Sequence, residues 1–335
     1  MNSNLTRFVR ANQRLSIPER YLLVTLDYAN DYTMICKCET FEALCIALAA
    51  RSEHASATRR TMRPRMPTAA IMLLLAAPCL AAQLTLPAQE VFENHAAALE
   101  KRLAQQHASP DTYLAVFNLG GTERADAERQ LRSGAMRVEP VNGGTHEVSG
   151  GLLHHWRGTA FVPGGKAKDM LALLLDYNHL ATYYAPEIES SHVLSDHGGV
   201  AAVAIRMRKR KVVTVVLDTE YDVQTGLTGA SGYGFSRSTH IWQIEEAGTR
   251  NEHRLPEGND DGFLWRLNSY WSFVELPDGL LIECEAISLT RDVPSGLAWL
   301  IMPIIKDMPR ESLKFTLSAT RNALISGPPP ERAHR

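Results

Sequence analysis

A regularly spaced set of ionisable groups lies in one short stretch toward the C-terminus. Glu283, Glu285 and Arg291 fall at i, i+2 and i+8 of an alternating segment, so as a strand they share one face. Arg266 stands in the preceding aromatic segment, within reach of those carboxylates if the two segments pair. Such a set can form a cross-strand ladder on a solvent face, worth about 0.2–1 kcal/mol per pair. It can instead anchor the polar head of a ligand in an apolar cavity, or act as an acid–base pair. A second constellation is aromatic: Trp156, Tyr177, Tyr183, Tyr184, Trp265, Tyr270 and Trp271. Aromatic side chains fill cores, and they also line apolar cavities. The candidate ligand-contacting residues are therefore Trp156, Tyr184, Arg266, Tyr270, Trp271, Glu283, Glu285 and Arg291, with no catalytic residue assigned. His154 and His155 are adjacent on a strand-like segment and must point to opposite faces, which prevents one metal site. A nucleophile elbow, a P-loop, a dinucleotide fingerprint and an HExxH motif are all missing from the sequence, so no cofactor and no metal are expected.

The segments that must position these groups are legible around them. Phe263–Leu276 and Gly279–Arg291 read as two long antiparallel strands joined at Pro277-Asp278-Gly279, where Pro fixes φ and Gly supplies a positive one. Trp265, Leu267, Trp271 and Phe273 fall on one face of the first, and Leu280, Ile282, Cys284 and Ala286 on one face of the second. Residues 87–106 carry Phe92, Ala96, Leu99 and Leu103 at helical spacing, followed by a polar connector with a short helix at Glu123–Leu131. Met136–Val141 is a possible strand. Gly151–Val162 is a strong one, and Ala167–Leu180 a helix that ends by Pro186. Strands follow at Ile188–Leu194, Val200–Arg208, Lys211–Asp222 and Ser238–Glu246, with 225–237 read as a Gly/Ser-rich loop. The apolar segment Gly296–Lys306 is kinked or broken by Pro303, and a second helix, Arg310–Leu324, shows a stripe of Leu313, Leu317, Thr320 and Leu324.

With 335 residues, 45% hydrophobic and 21% charged, the chain can bury a substantial core. Its formal net charge of −2 gives no overall field for nucleic acid, and no nucleic-acid partner is expected. The cysteines Cys36, Cys38, Cys45, Cys79 and Cys284 show no zinc-finger spacing and offer no disulfide framework. Cys284 reads as a small buried apolar residue.

Residues 62–82 have the anatomy of a secretory leader: Arg63 and Arg65, a short apolar core at Ala69–Leu80, then Ala81 and Ala82. They point to an exported, periplasmic or secreted protein with cleavage after Ala82, or to a membrane anchor over 69–84. The expected organisation is an upstream extension at 1–61, a leader at 62–82, a helical extension at 83–135, a main domain at 136–325 and a tail at 326–335.

The order from Gly151 onward is strand, helices, about six antiparallel strands and a long helix. That order, and the strings HHWRGTAF from His154, LLDYNHLATYYAP from Leu174, WRLNSYW from Trp265 and SLTRD from Ser288, resemble the START-like (SRPBCC) superfamily. The resemblance implies an α+β helix-grip fold over roughly 136–325, a curved sheet on a long C-terminal helix. Its implied partner is a hydrophobic small molecule or lipid between sheet and helix. The alternatives are a cyclase- or hydrolase-like enzyme and an interaction module with a filled core. Leu297–Ile305, apolar nearly all round, is buried or makes transient contact with a membrane.

Overall fold

The computed structural model describes residues 21–26, 32–37, 82–210, 214–292 and 298–327. The chain divides into two units, Met1–Leu80 with Pro294–Ile301, and Ala81–Val293 with Met302–Arg335. In the first, β1 (Tyr21–Leu26) and β2 (Tyr32–Lys37) pair as an antiparallel hairpin. Residues 38–81, the leader-like segment included, lie outside the described residues.

The second unit opens with β3 (Ala82–Gln83) and α1 (Leu86–Gln106). Thr85 caps α1 by accepting the Ala88 N–H at 3.3 Å, and Pro87 occupies the first turn, where its missing donor is harmless. Two 3-10 turns, Pro110–Thr112 and Ala115–Asn118, lead to α2 (Gly121–Arg132). Then come β4 (Arg137–Val148), β5 (Gly151–Pro163), α3 (Ala167–Leu175), a 3-10 turn (Tyr177–His179) and α4 (Leu180–Tyr183). Four long strands follow: β6 (Ile188–His197), β7 (Val200–Arg210), β8 (Thr214–Thr228) and β9 (Ser231–Glu245). After the short β10 (His253–Arg254) and β11 (Asn259–Asp260) come β12 (Arg266–Leu276), β13 (Gly279–Arg291) and α5 (Ala298–Ser326).

The main sheet has the order β4-β5-β13-β12-β9-β8-β7-β6, with β10 added to β9 and antiparallel pairing throughout. The strand before the helices lies beside the last strand, hairpins run outward from there, and the helix after the last strand packs back on the sheet. That is the α+β helix-grip arrangement, here with β4 as an extra edge strand.

Strand alternation divides the side chains between two faces. On the inner face, Leu280, Ile282 and Cys284 of β13 and Trp271 and Phe273 of β12 pack with Leu313 and Leu317 of α5 and Met170 of α3. On the outer face, Tyr270, Ile287, Leu289 and Leu153 pack with Phe92, Ala96, Leu99 and Leu103 of α1. Further along that face, Phe161, Val274 and Leu281 meet Leu114, Val116 and Leu131 from the segment after α1. Each such fully buried side chain contributes about 1.5–3 kcal/mol, so the helical extension is a bonded third layer of the domain. On the inner face α5 lies directly on backbone: a Cβ at Gly158 would stand 2.1 Å from Leu317 Cδ1.

The structure departs from the sequence reading in several places. The Gly-rich stretch 225–237 is strand on both sides of a tight turn at Gly229. Its glycines make room: a Cβ at Gly232 would meet Phe273 at 2.3 Å, and one at Gly226 would meet Tyr233 at 2.5 Å. Pro303 and Pro309 lie within one continuous α5, because each withholds a single N–H from a helix of 29 residues whose lower half is held by the Leu313–Leu317 contact. The single helix expected at Ala167–Leu180 is split by the Asp176 turn into α3, a 3-10 turn and α4. The first hairpin strand begins at Arg266 rather than Phe263. Cys284 is buried, as expected.

Candidate functional site

Residues in the middle of a central strand, under a helix, should be sealed. On the outer face of β12 and β13 they are: Tyr270, Glu285 and Ile287 are buried. Directly behind them, on the inner face, Ser269 and Ala286 are partly exposed. Register places these two opposite each other, Trp156 opposite Ala286, Ser236 opposite Ser269 and Val223 opposite Ser236. The row Trp156–Ala286–Ser269–Ser236–Val223 crosses five strands, and every member is partly exposed. Two residues further along the same strands, Trp271 and Cys284 belong to the core formed with Leu313 and Leu317 of α5, and Gly158 lies directly beneath Leu317. The next row holds His154, Ser288 and Leu267, with His154 bonded at Nδ1 to Thr145 Oγ1 (3.0 Å) and at Nε2 to Thr290 Oγ1 (3.1 Å). Burial lowers His154 to about 4, so its ring is neutral at physiological pH.

The outer face carries the ionic groups. Glu285, 1% exposed, accepts from Arg102 Nη2 with both oxygens (2.7 and 2.6 Å), from Arg157 Nε (3.0 Å) and from His155 Nε2 (2.9 Å). A carboxylate only accepts, so His155 Nε2 carries the proton. His155 Nδ1 in turn lies 2.9 Å from His95 Nε2 of α1. Burial alone would raise Glu285, but the His155 hydrogen bond and the Arg157 and Arg102 charges outweigh it and bring it to about 2. Glu283, also 1% exposed, has no arginine bonded to it. The Ala115 N–H donates to its two oxygens (3.0 and 3.2 Å) and Thr159 Oγ1 donates to one (3.2 Å). Here burial prevails and pushes the carboxyl up to about 7. Nearby, His107 Nε2 lies 2.8 Å from Ser272 Oγ and stacks on Tyr113, with burial lowering it to about 4.

The candidate residues named from sequence therefore separate. Trp156 and Trp271 face inward. Tyr184 bonds through its hydroxyl to Thr320 Oγ1 of α5 at 2.9 Å. Tyr270, Glu283 and Glu285 face outward beneath the helical extension, and Tyr270 donates to Glu100 at 3.0 Å. Glu283 and Glu285 are thus neither a solvent-face ladder nor directed at α5. Arg266 does not reach them: its Nη1 donates to the Trp265 carbonyl at 2.7 Å, and it borders a recess of ≈ 350 Å³ with Gln83, His240 and Glu257. Arg291 donates to the Asp261 carbonyl at 3.4 Å. Trp265 packs on the outer side, its indole N–H on Asp260 at 3.1 Å. Sequence reasoning missed Arg102, His95 and the inner row of Ala286, Ser269 and Ser236. It set His155 on the face opposite His154 but gave it no partner, and did not single out Arg157. The available signal was the pairing of small residues in register, Ser269 with Ala286, inside two otherwise bulky strands. Among the described residues no group of three His, Cys, Asp or Glu side chains is placed to hold a metal, and no helix is long and apolar enough to cross a membrane. The side chains of 297–304 lie outside the described residues.

No family model matches the sequence, and no curated protein is similar to it. Solved structures similar to the chain include START-related proteins. A STAR-related lipid transfer protein fragment from Xanthomonas axonopodis is 17% identical, covers 56% of this chain and 98% of its own, and has a TM-score of 0.35. A START superfamily protein from Mycobacterium smegmatis is 15% identical, covers 51% and 97%, and scores 0.34. The Zhui aromatase/cyclase from Streptomyces is 13% identical, covers 52% and 92%, and scores 0.33. The helix-grip assignment itself stands on this chain's strand order and on the packing of α5 against the inner face.

Proposed function

We propose that the protein is an exported binding or carrier protein for a hydrophobic small molecule or lipid held between the sheet and α5. The observation that carries the reading is the partly exposed row Trp156–Ala286–Ser269–Ser236–Val223 in the middle of the sheet's inner face. Partly exposed mid-strand positions on a face whose core is apolar, with Leu171, Leu174 and Leu324 packed against it, suit an apolar ligand. A filled interaction module would show these positions sealed. A cyclase- or hydrolase-like enzyme using Glu283, Glu285 or His155 would need them on the inner face, and the sheet lies between them and it. Export is supported by the composition of residues 62–82; sequencing of the mature N-terminus tests it, with Gln83 as the expected first residue.

Native mass spectrometry of gently purified protein is expected to show a retained apolar molecule, and the neutral dye Nile red is expected to bind. Ala286→Trp fills the row and is expected to weaken Nile red at least about 10-fold, since one well-placed apolar group is worth roughly 1–3 kcal/mol. Ser269→Leu is a second filler should the first fold poorly. Undiminished dye binding in both folded variants would remove the site from the inner face.

A further inference from the structure

The charges of this sheet are sorted between its faces, and the sorting bears on the ligand. Resting on the inner-face reading above, we infer that the bound molecule is electrically neutral and carries a hydroxyl or carbonyl oxygen seated over the Ser269–Ser236 pair. The exposed row consists of Trp156, Ala286, Ser269, Ser236 and Val223, and the row beside it of His154, Ser288, Leu267, Ser238 and Tyr221. None of these ten side chains carries a charge at neutral pH, His154 included. The same strands turn Arg157, Glu285, Glu283 and Arg237 to the other face, where each has partners. Two of the described cations near the helical layer have partners of their own. Lys209 Nζ bonds to Ser312 Oγ at 2.9 Å and pairs with Glu187. Arg321 Nη1 donates to the Gly134 carbonyl at 3.1 Å, at the C-terminal end of α2, where a helix dipole favours a cation. An anionic head group placed over the row would lose its hydration without gaining a counter-charge.

The row is nevertheless not wholly apolar. Ser236 and Ser269 stand directly opposite on neighbouring strands, partly exposed, in an uncharged surround. Ser238, by contrast, is occupied: its Oγ accepts the Leu267 N–H at 3.0 Å. A hydroxyl both donates and accepts, so the pair suits a carbonyl or an alcohol.

Three probes of one shape test this on the full-length chain: 2-acetylnaphthalene (a ketone), 2-ethylnaphthalene (its hydrocarbon counterpart) and 2-naphthoate (an anion), titrated calorimetrically at pH 7.5. The ketone is expected to bind about five-fold tighter than the hydrocarbon, the yield of one hydrogen bond. The naphthoate is expected to bind at least about 30-fold weaker than the ketone. Ser269→Ala and Ser236→Ala together are expected to bring ketone and hydrocarbon within about two-fold while leaving the hydrocarbon unchanged. Naphthoate binding as tight as the ketone would overturn neutrality. A hydrocarbon equal to the ketone in the wild type would overturn the anchor, as would a preference that survives both substitutions or a uniform loss across all probes. If no probe binds at all, the inner-face reading itself falls.

Discussion

The two faces of β12 and β13 use the same backbone for opposite ends. The outer face is closed: α1 and the turns after it cover it, and its polar groups are matched one by one, down to a backbone N–H on Glu283. The inner face is closed only where Leu313 and Leu317 reach it, and it thins to alanine and serine two residues further along the strands. The comparison teaches that charge in these strands is sorted by parity, while burial on the inner face follows where α5 lies: Gly158 and Cys284 are buried beneath it and Trp156 is partly exposed. Moving one residue changes the chemistry; moving two changes the space.

The largest expected effect of breaking that division is at Glu285. Glu285→Gln leaves Arg157 and Arg102 facing a neutral amide in a buried setting and is expected to destabilise by about 3 kcal/mol, read as a lowered urea midpoint. An unchanged midpoint would mean that the arginines find Glu139 and solvent at no cost, and that charge does not hold the outer face together.

Acid and neutral pH sharpen the contrast between the two carboxylates. Glu285 falls from its ordinary 4.5 to about 2, so its contribution is present above 4.5 and is lost as pH drops toward 2. Glu283 rises from 4.5 to about 7, so the folded state binds its proton more tightly than the unfolded chain does. Its contribution is full below 4.5 and is lost as pH climbs through 7. Together they place the best stability of this region between those limits. Glu283→Gln is expected to remove most of the stability loss between pH 5 and pH 8, a slope worth on the order of 2 kcal/mol, followed by thermal unfolding in a pH series. A slope that persists in the variant would assign it to other groups.

The smallest effect belongs to the inner side. Thr320→Val strands the buried Tyr184 hydroxyl and is expected to cost about 1 kcal/mol, measured by the same denaturation. Nile red affinity is expected to stay within two-fold, because the Tyr184–Thr320 bond ties α4 to α5 and does not belong to the exposed row. A large loss of dye binding would extend the site to that bond.

The hairpin was legible because both its signals are local: period-two alternation, and Pro277-Asp278-Gly279 at the turn. Its two apolar sides were legible for the same reason. What covers each side was not. Arg102 meets Glu285 across 183 positions of sequence and His95 meets His155 across 60, and no periodicity within either segment encodes such a meeting. The glycines at 226, 232 and 234 misled because composition marks them as loop, whereas here they accommodate Tyr233, Phe273 and Leu174. The break allowed for at Pro303 does not occur: one helix runs through Pro303 and Pro309. The inner row was invisible for a different reason, since Ala286, Ser269 and Ser236 acquire meaning only when three strands are laid side by side.

The alternation also bears on how the strands find one another. If β13 slipped by one residue against β5 and β12, Glu283 and Glu285 would turn toward Leu313 and Leu317, and Ile282 and Cys284 would turn toward Arg157 and Arg102. Two carboxylates would enter an aliphatic layer without donors, and two arginines would lose their counter-charge. Mispaired forms of this sheet thus carry a penalty concentrated in its two central strands.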